Sequence, residues 1–147
     1  MRRDGWLLDT NVLSELTRPR PNPAVVAWLA ARAEASLHVS VLTLGEIGRG
    51  VAALAPDHPS RARHAAHLAA FAARFAGRVL PIDEAVARRW GAICGERRRA
   101  AGAWPPVVDS LLAAQAIEAG LTLATRNTRD VAGLGAAVFD PWGGGGG

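Results

Sequence analysis

The sequence predicts an α/β sandwich: a central, mostly parallel five-stranded sheet covered by helices on both faces. Two observations carry this expectation. Short apolar runs alternate with longer stretches of helical periodicity, in the order strand, helix, helix, strand, helix, helix, strand, helix, helix, strand, strand, and such alternation demands parallel strands joined by crossover helices. The chain has 147 residues and is 50% hydrophobic, enough to bury the core of one domain and too short for a second.

Each element has its own local signals. Gly5-Trp6-Leu7-Leu8 reads as a short buried strand, and the helix after it is stopped by Pro19-Arg20-Pro21. Asn22 and Pro23 supply an N-cap and a first-turn proline for a helix through Val26, Trp28 and Leu29. Leu37 to Val41 is the second strand. From Thr43 a helix runs to about Leu54, closed by Pro56 and Pro59, and Ser60 caps a long alanine-rich helix ending at Gly77. Val79-Leu80-Pro81-Ile82 is the third strand, and Asp83 caps a helix that passes Val86, Trp90 and Ile93 before Gly102. After the loop Ala103-Trp104-Pro105-Pro106, Asp109 opens a helix to Glu118 that Gly120 ends. Leu121 to Thr125 and Ala136 to Phe139 complete the sheet. Residues 1–142 read as one domain, and the run 143–147, all glycine, is expected to be a disordered tail.

Composition excludes several classes. The single cysteine, Cys94, rules out an internal disulfide and a cysteine-built zinc site, and favours a reducing compartment. Met1-Arg2-Arg3-Asp4 starts like the basic end of a signal peptide, but Asp4 and Asp9 break the apolar run too early. Arg63, His67 and Arg74 punctuate the most apolar helical stretch, so no segment reads as membrane-spanning. Together these predict a soluble cytoplasmic protein. The net charge of +4 comes entirely from arginine; it fits either a solvated basic surface or attraction to a phosphate backbone. Arg97-Arg98-Arg99 reads as a helix terminus complementing the dipole, and His58, His64 and His67 as surface residues. The tryptophans Trp6, Trp28, Trp90 and Trp142 read as packing residues; Trp104, in the loop before Asp109, is a candidate for stacking on a base.

Chemistry enters through the strand ends. In an open parallel sheet, ligands bind outside the carboxyl ends of the strands, where the helix N-termini also lie. Asp9 follows the first strand and Thr125 to Asp130 follow the fourth. Glu46, in the first turn after the second strand, and Asp109, at a helix start, come to the same edge. Each has a plainer explanation alone: Asp9 as a strand-end turn residue with Thr10 or Asn11 as a helix cap, Thr43 and Glu46 as a capping box, Asp109 as an N-cap, Asn127 and Asp130 as turn formers. Independent caps have no reason to gather at one sheet edge. Carboxylates crowded there repel unless a cation compensates, and oxygen ligands at helix N-termini suit Mg²⁺ or Mn²⁺. Such a centre performs phosphoryl transfer by polarising a phosphodiester and acidifying water.

With these residues in view, the chain resembles a PIN-domain ribonuclease, specifically a toxin of the VapC family close to its FitB-like branch. The resemblance spans almost the whole chain. It rests on Leu8-Asp9-Thr10-Asn11-Val12-Leu13-Ser14-Glu15, on Thr43 with Glu46, on Asp109-Ser110-Leu111-Leu112-Ala113-Ala114-Gln115-Ala116, on Leu123-Ala124-Thr125-Arg126-Asn127 and on Phe139-Asp140-Pro141-Trp142. It implies a PIN-like α/β/α sandwich, Mg²⁺-dependent cleavage of RNA and control by a cognate antitoxin. The family's metal-binding acids fall on Asp9, Glu46 and Asp109. Its fourth acid commonly falls where this chain has Asn127, so the fourth contact is expected from the Asn127 amide oxygen, with Asp130 in support.

Two other functions compete. Asp-Thr-Asn after a strand is similar to the nucleophile loop of haloacid-dehalogenase-like phosphatases, but that loop needs a second aspartate where Asn11 stands. A catalytically silent PIN-like module that binds RNA or an antitoxin would need a broken acidic set, whereas three of four carboxylates are intact. The helices around Val51 to Leu54 and Ala65 to Phe75 carry more apolar surface than one sheet face needs. A homodimer is expected, with an antitoxin segment laid across these helices towards the acids.

Overall fold

A computed structural model describes residues 4–143 of the chain. The basic start at 1–3 and residues 144–147 of the expected glycine tail lie outside the described residues. Five strands, β1 (Trp6–Leu8), β2 (Leu37–Ser40), β3 (Val79–Leu80), β4 (Thr122–Ala124) and β5 (Val138–Phe139), form one sheet in the order β3-β2-β1-β4-β5. Every pairing is parallel, with Leu8 level with Ala124 and Ala124 with Phe139. The helices are α1 (Thr10–Leu16), α2 (Pro23–Ala30), α3 (Val41–Ala53), α4 (Arg61–Arg74), α5 (Glu84–Ala101), α6 (Val107–Ala119) and the short α7 (Thr128–Val131), with a 3-10 turn at Glu34–Ser36.

Alternation along the strands separates two cores. Leu7 of β1 and Leu123 of β4 join Ile93 and Cys94 of α5 and Leu112, Ala113 and Ala116 of α6 on one face. Leu8, Leu37 and Val39 join Val12 and Leu13 of α1, Val25 and Leu29 of α2, Phe71 of α4 and Phe75 just after it on the other. The result is a three-layer α/β/α sandwich. A second aromatic group, Trp6 against Trp28 and Phe139, closes the sheet near β5, so these tryptophans pack as expected. Trp90 donates its indole N–H to Ser110 Oγ at 2.9 Å, tying α5 to α6.

The strands are shorter than expected, and the reasons are local. β2 stops at Ser40 because its hydroxyl caps α3, accepting from Leu42 N at 3.0 Å. β3 ends at Leu80, since Pro81 has no N–H to offer the ladder. The strand expected over 121–125 narrows to Thr122–Ala124, and that over 136–139 to Val138–Phe139. The alanine-rich helix ends at Arg74, before Gly77, and Ser60 makes no side-chain cap bond. The Asn22, Asp83, Gly102 and Gly120 signals are borne out: Asn22 Oδ1 accepts Ala24 N, Asp83 Oδ1 accepts Val86 N, and both glycines stand in the left-handed conformation after their helices.

The order of strands puts the site in place. From β1 the chain moves out to β2 and β3, then returns across β1 to β4 and β5. The crevice between the ends of β1 and β4 is therefore a switch point of the topology, where an open parallel sheet leaves room for a ligand. Asp9 and Thr125 follow those two strands directly.

Candidate active site

At this crevice lies an open cleft of about 620 Å³. Its lining includes Asp9, Thr10 and Asn11 at the start of α1, Glu46 of α3, Asp109 of α6, and Arg126 and Asn127 after β4. Four of the five expected site residues thus share one cleft. Asp130, on α7, is not among the lining residues, but its charge still reaches Asp109.

The local folding reasons differ from those first assigned. Asp9 is itself the N-cap of α1, its Oδ1 accepting Thr10 N at 2.6 Å. Its other oxygen faces β4: Thr125 Oγ1 donates to Asp9 Oδ2 at 2.6 Å, and Asn11 Nδ2 stands 3.4 Å from the same atom. One carboxylate therefore caps a helix and is fixed in orientation by a buried threonine. The capping-box explanation of Glu46 fails, because Ser40 holds the N-cap and Thr43 is a fully buried residue inside the helix. Glu46 falls in the second turn rather than the first, and its Oε1 accepts from Thr10 Oγ1 at 2.7 Å. The N-cap explanation of Asp109 fails too. Pro106 holds the cap position, so Asp109 sits in the first turn of α6 with its carboxylate near the helix's positive end. Asn127 precedes α7 without capping it; its backbone N–H donates to Thr125 Oγ1 at 3.0 Å. The segment expected to be a plain turn, 127–130, is largely this short helix.

Thr10 reads in the sequence as no more than a possible helix cap and Thr125 as a strand end, yet they orient two of the acids. Parallel pairing of Leu8 with Ala124 makes Asp9 level with Thr125, a signal that becomes readable once β1 and β4 are known to be neighbours. Glu15 is a buried acid of the same cleft whose oxygens are already engaged, by Asn22 N at 3.0 Å and by Arg18 at 3.1 Å.

The electrostatics show negative charge crowded in a partly buried place. Burial, and then the charges of Asp9, Asp130 and Glu46, push the Asp109 carboxyl up to about 6. Burial raises Asp9 as well, against the opposing hydrogen bonds from Thr125 and Thr10, with Glu46 adding to the rise. Among the described residues no three His, Cys, Asp or Glu side chains stand close enough to enclose an ion. An open set of hard oxygen donors of this kind suits Mg²⁺, which keeps much of its water and needs only one or two carboxylates with a substrate phosphate.

Beside the cleft, a groove of about 390 Å³ runs between α1, α3 and α4, lined by Ile47, Val51, Leu54 and Phe71. It shares Thr10, Ser14 and Glu46 with the cleft. His64 and His67 line it rather than standing as plain surface residues, while His58 is exposed in its loop. Trp104 is 65% exposed, with the Arg98 guanidinium 5.9 Å from its ring centroid, and it does not line the cleft. Arg98 bonds the carbonyl of Gly102, the C-cap of its own helix, where its charge meets the dipole, whereas Arg97 reaches instead to the Ala132 carbonyl beyond α7. No helix among the described residues is long and apolar enough to cross a membrane.

A profile of the PIN domain matches residues 6–133, most of the chain and all of its acidic motifs. The chain is a PIN-domain protein. Its relatives include Toxin FitB of Neisseria gonorrhoeae, 38% identical over 136 residues, which cover 92% of this chain and 97% of FitB. VapC ribonuclease Y4jK of Sinorhizobium fredii is 33% identical over 137 residues, covering 92% of this chain and 96% of that one. The crystal structure of FitAcB from Neisseria gonorrhoeae contains a chain that superposes with a TM-score of 0.83 at 38% identity, over 93% of this chain and 98% of that chain. The expected fold and family membership are borne out, and the phosphatase alternative is replaced by a PIN domain.

Proposed function

We propose that this PIN-domain protein is a divalent-metal-dependent endoribonuclease and the toxin of a toxin–antitoxin pair. The observation that carries the reading is the convergence of Asp9, Glu46 and Asp109, from three separate elements, on one cleft at the switch point of the sheet. The relatives' names, a toxin and a ribonuclease, agree with it. Asp9, Glu46 and Asp109 would hold Mg²⁺ or Mn²⁺, with Asn127 offering a neutral amide oxygen from the cleft wall and Asp130 its charge from behind. The bound cation supplies neutralisation of a phosphodiester and acidification of water. The chain's own part is positioning. Thr125 fixes Asp9, Thr10 fixes Glu46, and the α6 N-terminus supports the charge of Asp109 and of an approaching phosphate.

The cleft lining contains acids, amides and arginines but no histidine to take a proton from a ribose 2′-hydroxyl. Attack by water is therefore favoured, giving 5′-phosphate and 3′-hydroxyl ends. The reading includes a cytoplasmic location, a homodimer supported by the exposed alanine face of α4, and an antitoxin seated in the groove beside the cleft.

The test uses purified protein and RNA. Cleavage with Mg²⁺ or Mn²⁺ is expected to stop on addition of EDTA, and Asp9→Asn, Glu46→Gln and Asp109→Asn are each expected to lower it by roughly two orders of magnitude or more. Cleavage that persists in EDTA, or leaves cyclic phosphates, overturns the mechanism. Full activity in Glu46→Gln removes that residue from the site.

A further inference from the structure

One wall of the cleft is unlike the acidic floor. Arg126 and Trp142 both line it, and the Arg126 guanidinium lies 5.3 Å from the indole centroid. The two reach the cleft by different routes. Arg126 directly follows Thr125 at the end of β4, with its backbone N–H 3.5 Å from Asn11 Oδ1. Trp142 comes from the segment after β5, where its backbone N–H donates to Asp140 Oδ1 at 2.8 Å and the preceding Pro141 is buried. The indole is half-buried, so one part anchors against the core and the rest remains open to the cleft. Among the described residues Arg126 has no carboxylate within ion-pair distance, in contrast to Arg18 across the cleft, which is paired with Glu15. An exposed guanidinium lying on a half-buried indole, both in the lining of the cleft that holds the acids, presents a cation and an aromatic surface side by side.

From this geometry we infer that Trp142 and Arg126 form a platform for one unstacked nucleotide of single-stranded RNA beside the scissile phosphate. The base lies against the part of the indole left open to the cleft, and the Arg126 guanidinium over the ring meets a phosphate of the same strand. The inference rests on the nuclease reading for the position of the cut, and it adds the two residues that hold the nucleotide next to it. Stacking needs an exposed π-face, which bases inside a helix do not offer, and aromatic rings and guanidinium planes are the surfaces on which splayed bases are held. The platform acts on binding, because neither residue reaches the acids of the floor by a hydrogen bond.

Binding of a 12-residue oligo(A) RNA, measured in EDTA by fluorescence anisotropy and again as KM with Mg²⁺, tests it. Trp142→Leu, which keeps apolar bulk but no ring, should raise Kd and KM roughly tenfold with kcat little changed, the size expected for one stacked base. Trp142→Phe should recover most of that loss. An abasic 12-residue strand should bind the parent protein and Trp142→Leu alike. Arg126→Gln, a surface change that leaves the core intact, should lower the slope of log K against log salt by about 0.7, as one lost phosphate contact on a single strand does. Equal binding and equal KM for the parent protein and Trp142→Leu, or an unchanged salt slope in Arg126→Gln, overturns the platform while leaving the nuclease in place. Trp142-dependent binding without cleavage does the reverse. Unchanged RNA affinity with an altered mass by light scattering in Trp142→Leu assigns the indole to a protein contact and also overturns it.

Discussion

At Asp109 the electrostatics can be read as a stability curve. Unfolded, this carboxyl ionises near pH 4; folded and free of metal, it holds its proton up to about pH 6, chiefly through burial and then through Asp9, Asp130 and Glu46. A raised pKa means that the contribution to stability is full below the unfolded value and is lost as pH rises through the folded one. The metal-free protein should therefore lose stability between about pH 4 and pH 6. The loss is on the order of 1–2 kcal/mol, once solvent screening of a half-buried group is allowed for. Asp109→Asn should remove that pH dependence and unfold at a higher temperature than the parent above pH 6, in EDTA. Saturating Mg²⁺ should restore the parent and not the variant. A parent protein equally stable at pH 5 and pH 7 in EDTA would refute the crowding of charge. The proposed fourth ligand position rests on a neighbouring pair of residues. Asn127 lines the cleft and Asp130 does not, so Asn127→Ala should cost more catalysis than Asp130→Ala, and Asn127→Asp should tighten Mg²⁺ binding or leave it unchanged. Activity titrated against Mg²⁺ in the three variants checks this. A larger loss for Asp130→Ala would show that charge, and not the amide, completes the site.

Elements show what a sequence discloses and what it withholds. Capping residues and glycine stops are local, so Asn22, Asp83, Gly102 and Gly120 were legible with their helices. The strands' alternation with helices gave the sheet, but their ends depend on neighbours: β2 yields Ser40 to α3, and β3 stops at Pro81. The acids were found because a parallel sheet sends its strand ends and helix starts to one edge. Thr10 and Thr125 were not, because their bonds span 36 and 116 residues and depend on which strand lies beside β1. Gly5 is a further case, legible as a strand start but not as a tight contact. A Cβ there would meet Leu121 Cδ2 at 2.7 Å and the Ser36 carbonyl oxygen at 3.2 Å. The leucine methyl can move, but the carbonyl belongs to the 3-10 turn that leads into β2. Gly5→Ala should therefore destabilise the protein by about 1–3 kcal/mol through displacement of the β1 entry. A melting temperature within one degree of the parent would show that the turn gives way freely.

For the whole molecule, the decisive feature is that the groove and the cleft are continuous. Ile47, Val51, Leu54 and Phe71 make an apolar trough between α3 and α4, and Thr10 and Glu46 belong both to it and to the acidic cleft. A chain laid along the trough buries apolar surface on two helices and arrives beside Glu46, so inhibition follows from position without any change of fold. The trough also holds a buried polar atom, His67 Nδ1, with no hydrogen-bond partner among the described residues, which an arriving backbone can satisfy. Leu54 and His67 take no part in the acidic floor, which separates control from catalysis. Leu54→Arg should weaken binding of the cognate antitoxin by roughly tenfold or more, the loss expected for a central apolar anchor, and His67→Ala by a smaller factor. Both variants should cleave RNA as the parent does when assayed alone. Calorimetric titration of the antitoxin into each variant, with cleavage measured in parallel, reads both quantities. Unchanged affinity in Leu54→Arg would place the antitoxin on another face. Lost cleavage without antitoxin would instead mean that the α3–α4 pair holds Glu46 in place, making the groove part of the active site rather than its control.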